Sequence, residues 1–154
     1  TRLLHELLFS EIKSHGTNLT APLNFLNNLL HRPALVFVIS DFLDASEAQW
    51  TRAIKATNQR HEVLALRLQD PRERELPNVG VALVRDAETG EICEVDTGDA
   101  QVRQAYADAA ERRANQFQSV CRLGGIPDLT VRMDEPWPQR VQQFLDLAAR
   151  RRVA

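Results

Sequence analysis

Six consecutive apolar residues, Ala34 to Ile39 (ALVFVI), run directly into Ser40, Asp41 and Phe42. A strand with one wet face alternates apolar and polar side chains, whereas an unbroken apolar run marks a strand covered on both faces, as in parallel sheets. Parallel strands cannot be joined by a tight turn and need a crossover, usually a helix. This stretch therefore predicts a layered α/β chain in which helices separate the core strands. Its last residue matters too, because open parallel sheets bind ligands at the carboxyl ends of their strands.

The remaining sequence supplies the crossovers. TRLLHELLFSEI reads as a helix with Leu3, Leu4, Leu7, Leu8 and Ile12 on one face. After the polar turn SHGTNLTAP, a second helix carries Leu23, Leu26 and Leu30 at helical spacing, with Thr20 as its N-cap and Pro22 in its first turn. DASEAQWTRAIKATNQR places Trp50, Ala53, Ile54 and Thr57 on one side of a third helix, where Asp44 and Glu47 have the spacing of a capping box. HEVLALRLQ is a second core strand, and the loop DPRERELPN leads into GVALVRD-AETG-EICEVD, read as a β-hairpin. A long helix from about Asp99 to Leu123 bears Val102, Tyr106, Ala109, Arg113, Phe117 and Val120 along a stripe, and Gly124 stands where a C-cap is expected. IPDLTVRM is a third core strand and PWPQRVQQFLDLAARRR the last helix, with Trp50, Tyr106, Phe117 and Trp137 as core aromatics.

Composition removes several function classes. Nineteen Lys and Arg against 21 Asp and Glu give a net charge of −2, with no basic excess for nucleic acid and no acidic tail. The six-residue apolar run is far short of the ~20 residues that span a bilayer. No signal peptide opens the chain, which begins inside a helix without methionine and reads as a piece of a longer protein. Cys93 and Cys121 are the only cysteines, which fits a reducing, cytoplasmic setting better than a disulfide framework. His5, His15, His31 and His61 form no i, i+4 zinc pair, and Arg150 to Arg152 complement a helix C-terminus. Neither a Gly-rich phosphate loop nor a Gly-x-Ser-x-Gly elbow is present, so no catalytic residue is assigned and the chain is not expected to be an enzyme.

HGTNLTAPLNFLNNLL followed by VFVISDF resembles the second and third metal-site motifs of von Willebrand factor A-type domains. With SDFLD, DPRERELP, DAETGE and VDTGDAQVRQAYADAA, the chain resembles a bacterial family of A-like domain proteins of unknown function, commonly encoded beside MoxR-type AAA+ ATPases. The resemblance implies a three-layer, Rossmann-like parallel sheet with an inserted hairpin, and strands near 34–39, 62–68 and 128–132 in that spatial order. It implies that Thr17 and Asp41 help to hold Mg2+ or Mn2+ in the intact domain. It further implies that the metal recognises a carboxylate on a partner, either a MoxR-type ATPase or its client.

The family's first metal motif, Asp-x-Ser-x-Ser, is absent, and Asp44-Ala45-Ser46 stands at a helix start instead. Residues 1–154 thus correspond to the C-terminal part of one A-type domain, in which little metal is expected to bind and strand 34–39 is left as an apolar edge open to self-association. The alternative is a metal-dependent phosphohydrolase with Asp41 and Thr17 near a phosphate. It lacks a nucleophile or general base within the motifs.

Overall fold

The computed structural model describes His5, Phe9 and residues 18–43, 46–85 and 90–151. The expected apolar face of the first helix, Thr17, the Asp44 half of the capping box, the hairpin turn at 86–89 and Arg152 lie outside the described residues.

Three parallel strands form the centre. β1 (Leu35–Ser40) pairs with β2 (Glu62–Gln69), which pairs with β5 (Asp128–Arg132), in the spatial order that the family resemblance implied. Helix α2 (Glu47–Arg60) crosses from β1 to β2, and α3 (Ala100–Gly124) leads into β5. Helix α1 (Thr20–Leu29) precedes β1, and α4 (Trp137–Arg151) follows β5. A separate antiparallel ribbon, β3 (Val81–Arg85) with β4 (Ile92–Asp96), is inserted between β2 and α3.

The α2 pattern is realised residue for residue: Trp50, Ala53, Ile54 and Thr57 are its buried positions. They meet Leu23, Val36, Val38, Val63, Ala65 and Phe117 in one apolar layer. The opposite face packs Leu64 and Leu66 against Ala148, Phe144, Leu145 and Val141 of α4. Helices on both faces of a parallel sheet make the three-layer α/β architecture plain.

Local signals were shifted in places. Thr20 lies inside α1, whose start is served by Asn18: its Oδ1 accepts the Ala21 N–H at 3.0 Å. Gly125, not Gly124, caps α3, with φ 62°, while a Cβ on Gly124 would meet Ile126 Cδ1 at 3.1 Å. The Ile126 N–H reaches back to the Cys121 carbonyl, so the first glycine permits close packing and the second the left-handed turn. Trp137 is 44% exposed at the start of α4 and is not a core residue. Asp99 caps α3 through its side chain, accepting from the Gln101 N–H at 2.7 Å.

The ribbon is tied down at its base. Buried Thr97 donates its hydroxyl to the Gly80 carbonyl at 2.6 Å and accepts the Val79 N–H at 3.0 Å. Arg103 then donates to the carbonyls of Thr97 and Gly98, at 2.6 and 2.8 Å, which fixes the ribbon to the first turn of α3. Among the described residues, no helix is long and apolar enough to cross a membrane.

Candidate functional site

Asp41 is the first residue after β1, at the carboxyl edge of the sheet. Its Oδ1 accepts the Leu43 N–H at 3.1 Å and the Ser40 hydroxyl at 3.2 Å, while Ser40 Oγ accepts the Phe42 N–H at 3.1 Å. Such Asx and Ser turns are how short polar side chains shape a chain reversal. The turn forces Phe42 to φ 58°, a left-handed conformation that a bulky residue adopts only when tertiary contacts hold it. The holding contacts are aromatic: the Phe42 ring lies 4.5 Å from that of Phe117 and 5.4 Å from that of Trp50, centroid to centroid. Asp41 is thus set by its own turn and by a buried aromatic anchor one residue on. It does not cap α2, whose N-cap position is Ser46. Both of its hydrogen bonds use Oδ1, leaving Oδ2 unengaged among the described residues.

Two further charged groups converge here. Arg67, near the end of β2, is 4% exposed, and its guanidinium carbon stands 5.8 Å from the centroid of the Phe117 ring. Glu73 lies in the short 3-10 helix Pro71–Glu73 of the DPRERELP loop. That helix is capped by Asp70, whose Oδ1 accepts the Arg72 N–H at 2.8 Å, and is tied to α3 by Tyr106, whose hydroxyl donates to the Arg72 carbonyl at 3.0 Å. Arg67 Nε and Glu73 Oε2 are both buried without a hydrogen-bond partner.

Their electrostatics show one neighbourhood. Burial pulls the Arg67 guanidinium below its ordinary value; Glu73 opposes this, Arg113 of α3 adds to it, and Asp41 opposes it. Burial likewise pushes the Glu73 carboxyl above the usual range against a backbone hydrogen bond at Asp70, with the charges of Asp41 and Asp70 adding to the rise. Tyr106 is raised mainly by burial, with Arg113 opposing. An arginine stays protonated under any such shift, so the edge of the sheet holds a permanent buried cation between two carboxylates.

Asp41 stands at the strand end, as the sequence indicates, and the Asp70–Pro77 loop follows the neighbouring strand β2. In that loop Glu73 is partly buried, and Arg74 and Glu75 pair locally at 3.8 Å. Arg67 was missed. It sits inside HEVLALRLQ, where one arginine looks like an ordinary interruption of an apolar strand, although its alternation with Val63 and Ala65 could have marked it as inward-facing. His61 is buried at the other end of β2, and His31 is exposed. Among the described residues no three His, Cys, Asp or Glu side chains gather closely enough to hold a metal ion.

Comparison with known proteins gives a family without an activity. The profile of the family described as "protein of unknown function DUF58" matches residues 1–116. An uncharacterized protein of Mycobacterium avium is 37% identical over 137 residues, covering 89% of this chain and 78% of its own length. An uncharacterized protein of Mycobacterium tuberculosis is 35% identical over 137 residues, and there the matched region is only 42% of the relative. The crystal structure of the conserved hypothetical protein BatB from Bacteroides thetaiotaomicron is similar with a TM-score of 0.47 and 17% identity, over 90% of this chain and 62% of that one.

Proposed function

Since the chain belongs to the DUF58 family of proteins of unknown function, we propose that it is a recognition module whose site is the carboxyl edge of the sheet around Asp41, working through a divalent cation in protein–protein interaction. The observation that carries this reading is the Asp41 carboxylate, fixed through Oδ1 by Leu43 N–H and Ser40 Oγ with Oδ2 left unengaged. A half-engaged carboxylate on a preset turn suits Mg2+ or Mn2+, which take oxygen ligands near octahedral geometry and keep several waters. Asp41 supplies the charge and Thr17, by the resemblance to A-type domains, the hydroxyl. A bound cation would supply an open position for a carboxylate on a partner.

The protein's own residues define the surroundings. Phe42, Trp50 and Phe117 hold the Asp41 turn rigid, so little ordering cost is left for binding. Arg67 keeps the neighbourhood from accumulating negative charge before the cation arrives. The partner suggested by the resemblance is a MoxR-type AAA+ ATPase or the client on which it acts, in a chaperone-like or complex-assembly role.

Two measurements on the full-length natural protein test this. Mg2+ should raise its melting temperature, because a ligand that binds only the native state stabilises it, by about 2.7 kcal/mol at a hundred times its Kd. Asp41→Ala should abolish that rise and, in affinity purification with Mg2+, lose the ATPase or its client. Undiminished Mg2+ binding by the variant would sink the reading, and so would Mg2+-dependent phosphatase turnover abolished by the same substitution.

A further inference from the structure

A cleft of about 400 Å3 lies between the carboxyl-end residues of β2, Thr130 of β5 and the α3 segment from Gln104 to Gln118. Arg67, Gln69 and Thr130 line it from the sheet, and the space exists because α3 presents Ala107, Ala110 and Ala114 to it. Small side chains on a helix that should pack against a sheet leave a void unless something fills it. Its size is that of a small-ligand or side-chain pocket.

Several polar groups on the sheet side of this cleft make no hydrogen bond inside the protein among the described residues. Arg67 is 96% buried, its Nε is buried without a partner, and no carboxylate pairs with it within 4.0 Å among the described residues. The side chains of Gln69, Gln118 and Thr130 make no hydrogen bond to any described residue. A buried, planar guanidinium left open on one edge is a two-pronged donor matched to a carboxylate or phosphate. The far wall discriminates between these. Asp108 is held by Gln104 Nε2 at 2.7 Å, Glu75 sits beside Arg74, and Glu111 has no ion pair among the described residues. Arg74, which also lines the cleft, offsets Glu75, and the remaining carboxylates of Asp108 and Glu111 repel a doubly charged phosphate more than a single carboxylate and attract a cationic group carried on the same ligand.

We propose that this cleft is a second binding site, independent of any metal at Asp41, that seats a carboxylate on Arg67 and the ligand's cationic or hydrogen-bond-donating end against Glu111 and Asp108. The ligand class is a compact zwitterion, either a free amino acid or a carboxylate residue of a peptide with a neighbouring positive charge. Gln69, Gln118 and Thr130 supply the neutral hydrogen bonds that orient it.

The test is titration of the full-length natural protein in metal-free buffer, followed by the NMR signal of Arg67 Nε–H and by calorimetry. The probes are acetate, γ-aminobutyrate, inorganic phosphate, and a capped peptide containing adjacent Glu and Lys. γ-Aminobutyrate or the peptide should shift the Arg67 signal and bind more tightly than acetate, and acetate more tightly than phosphate. Whichever of the two zwitterionic probes binds better identifies a free or a polypeptide source. Arg67→Met preserves volume and should lose about ten- to hundredfold in affinity, with native circular dichroism checked alongside because Glu73 loses its neighbouring cation, and Arg67→Lys should lose affinity while keeping the buried charge. Glu111→Gln should weaken γ-aminobutyrate several-fold and leave acetate unchanged. The proposal is overturned if no probe shifts Arg67, if phosphate binds best, or if Arg67→Met binds as well as the parent. Failure of the Mg2+ tests at Asp41 would leave these outcomes unaffected, because the buffer contains no metal.

Discussion

On one face of the three-stranded sheet, α1, α2 and α3 lay a continuous apolar layer over Val36, Val38, Val63 and Ala65. On the other, α4 covers Leu64 and Leu66 but leaves Phe37 and Ile39 of β1 exposed at 47% and 59%. The sequence of β1 is equally apolar on both sides, so composition does not explain the contrast. Geometry does. A helix with its side chains is about 10 Å across and strands lie about 4.8 Å apart, so one helix covers roughly two strands. α4 follows β5 and packs on β2; of β1, the far strand, only Leu35 at its start joins that cluster, and Phe37 and Ile39 lie outside it. Three helices on the first face have no such shortage.

Substitutions on the two faces should separate by size. Phe117→Ala is expected to be the most damaging, at about 3–5 kcal/mol by urea unfolding, because the ring is 2% exposed and supports Phe42 and the Arg67 guanidinium together. A loss below about 1 kcal/mol would mean that the aromatic anchor of the Asp41 turn is not rigid. A smaller effect should come from the seam where α3 and α4 meet. There Asp128 lines a groove with Cys121, Phe144 and Ala148, and burial raises its carboxyl. The folded state therefore holds the Asp128 proton more tightly than the unfolded chain, and this group's contribution is full below the unfolded value near 4 and is lost as pH rises through the folded one. Asp128→Asn should gain stability relative to the parent between pH 4 and pH 7, measured by denaturant titration at both. An unchanged difference between the two pH values would show the carboxyl to be solvated. The Cys121 thiol beside it, pushed to about 12 by burial, with Asp128 adding, should stay inert to alkylating reagents until the protein unfolds.

The least effect on stability is expected at the bare strand. Ile39→Lys should change unfolding free energy by no more than about 0.5 kcal/mol, since the side chain is already in water. It should nevertheless suppress self-association in sedimentation, because charge on an edge strand blocks pairing with a second chain. A parent chain that is monomeric at every concentration would show that the half-covered face is of no consequence to assembly.

These contrasts also mark what could be read in advance. The apolar runs at 34–39 and within HEVLALRLQ gave the parallel strands because period and length alone separate covered strands from half-wet ones. Trp50, Ala53, Ile54 and Thr57 were legible for the same reason, as was the hairpin. Cap positions slipped by a residue or two at Thr20 and Gly124, where Asn18 and Gly125 serve instead, because neighbouring polar or glycine residues compete for one local role. Trp137 looked like core by residue type, yet it stands in the first turn of α4 and is 44% exposed.

The site divides along the same line. Sequence by itself determined that a carboxylate follows β1 and that a charged loop follows β2, since both are consequences of chain order. Which charges meet there was decided by tertiary structure alone. Arg67 became a buried cation over Phe117 because α3 crosses the sheet at that residue, and the cleft above it opens because three alanines of α3 pass over Thr130 and Gln69. A contact such as that of Arg67 with Phe117, 50 positions apart, carries no local periodicity. It is set by helix length and packing angle, which strand and helix patterns leave free.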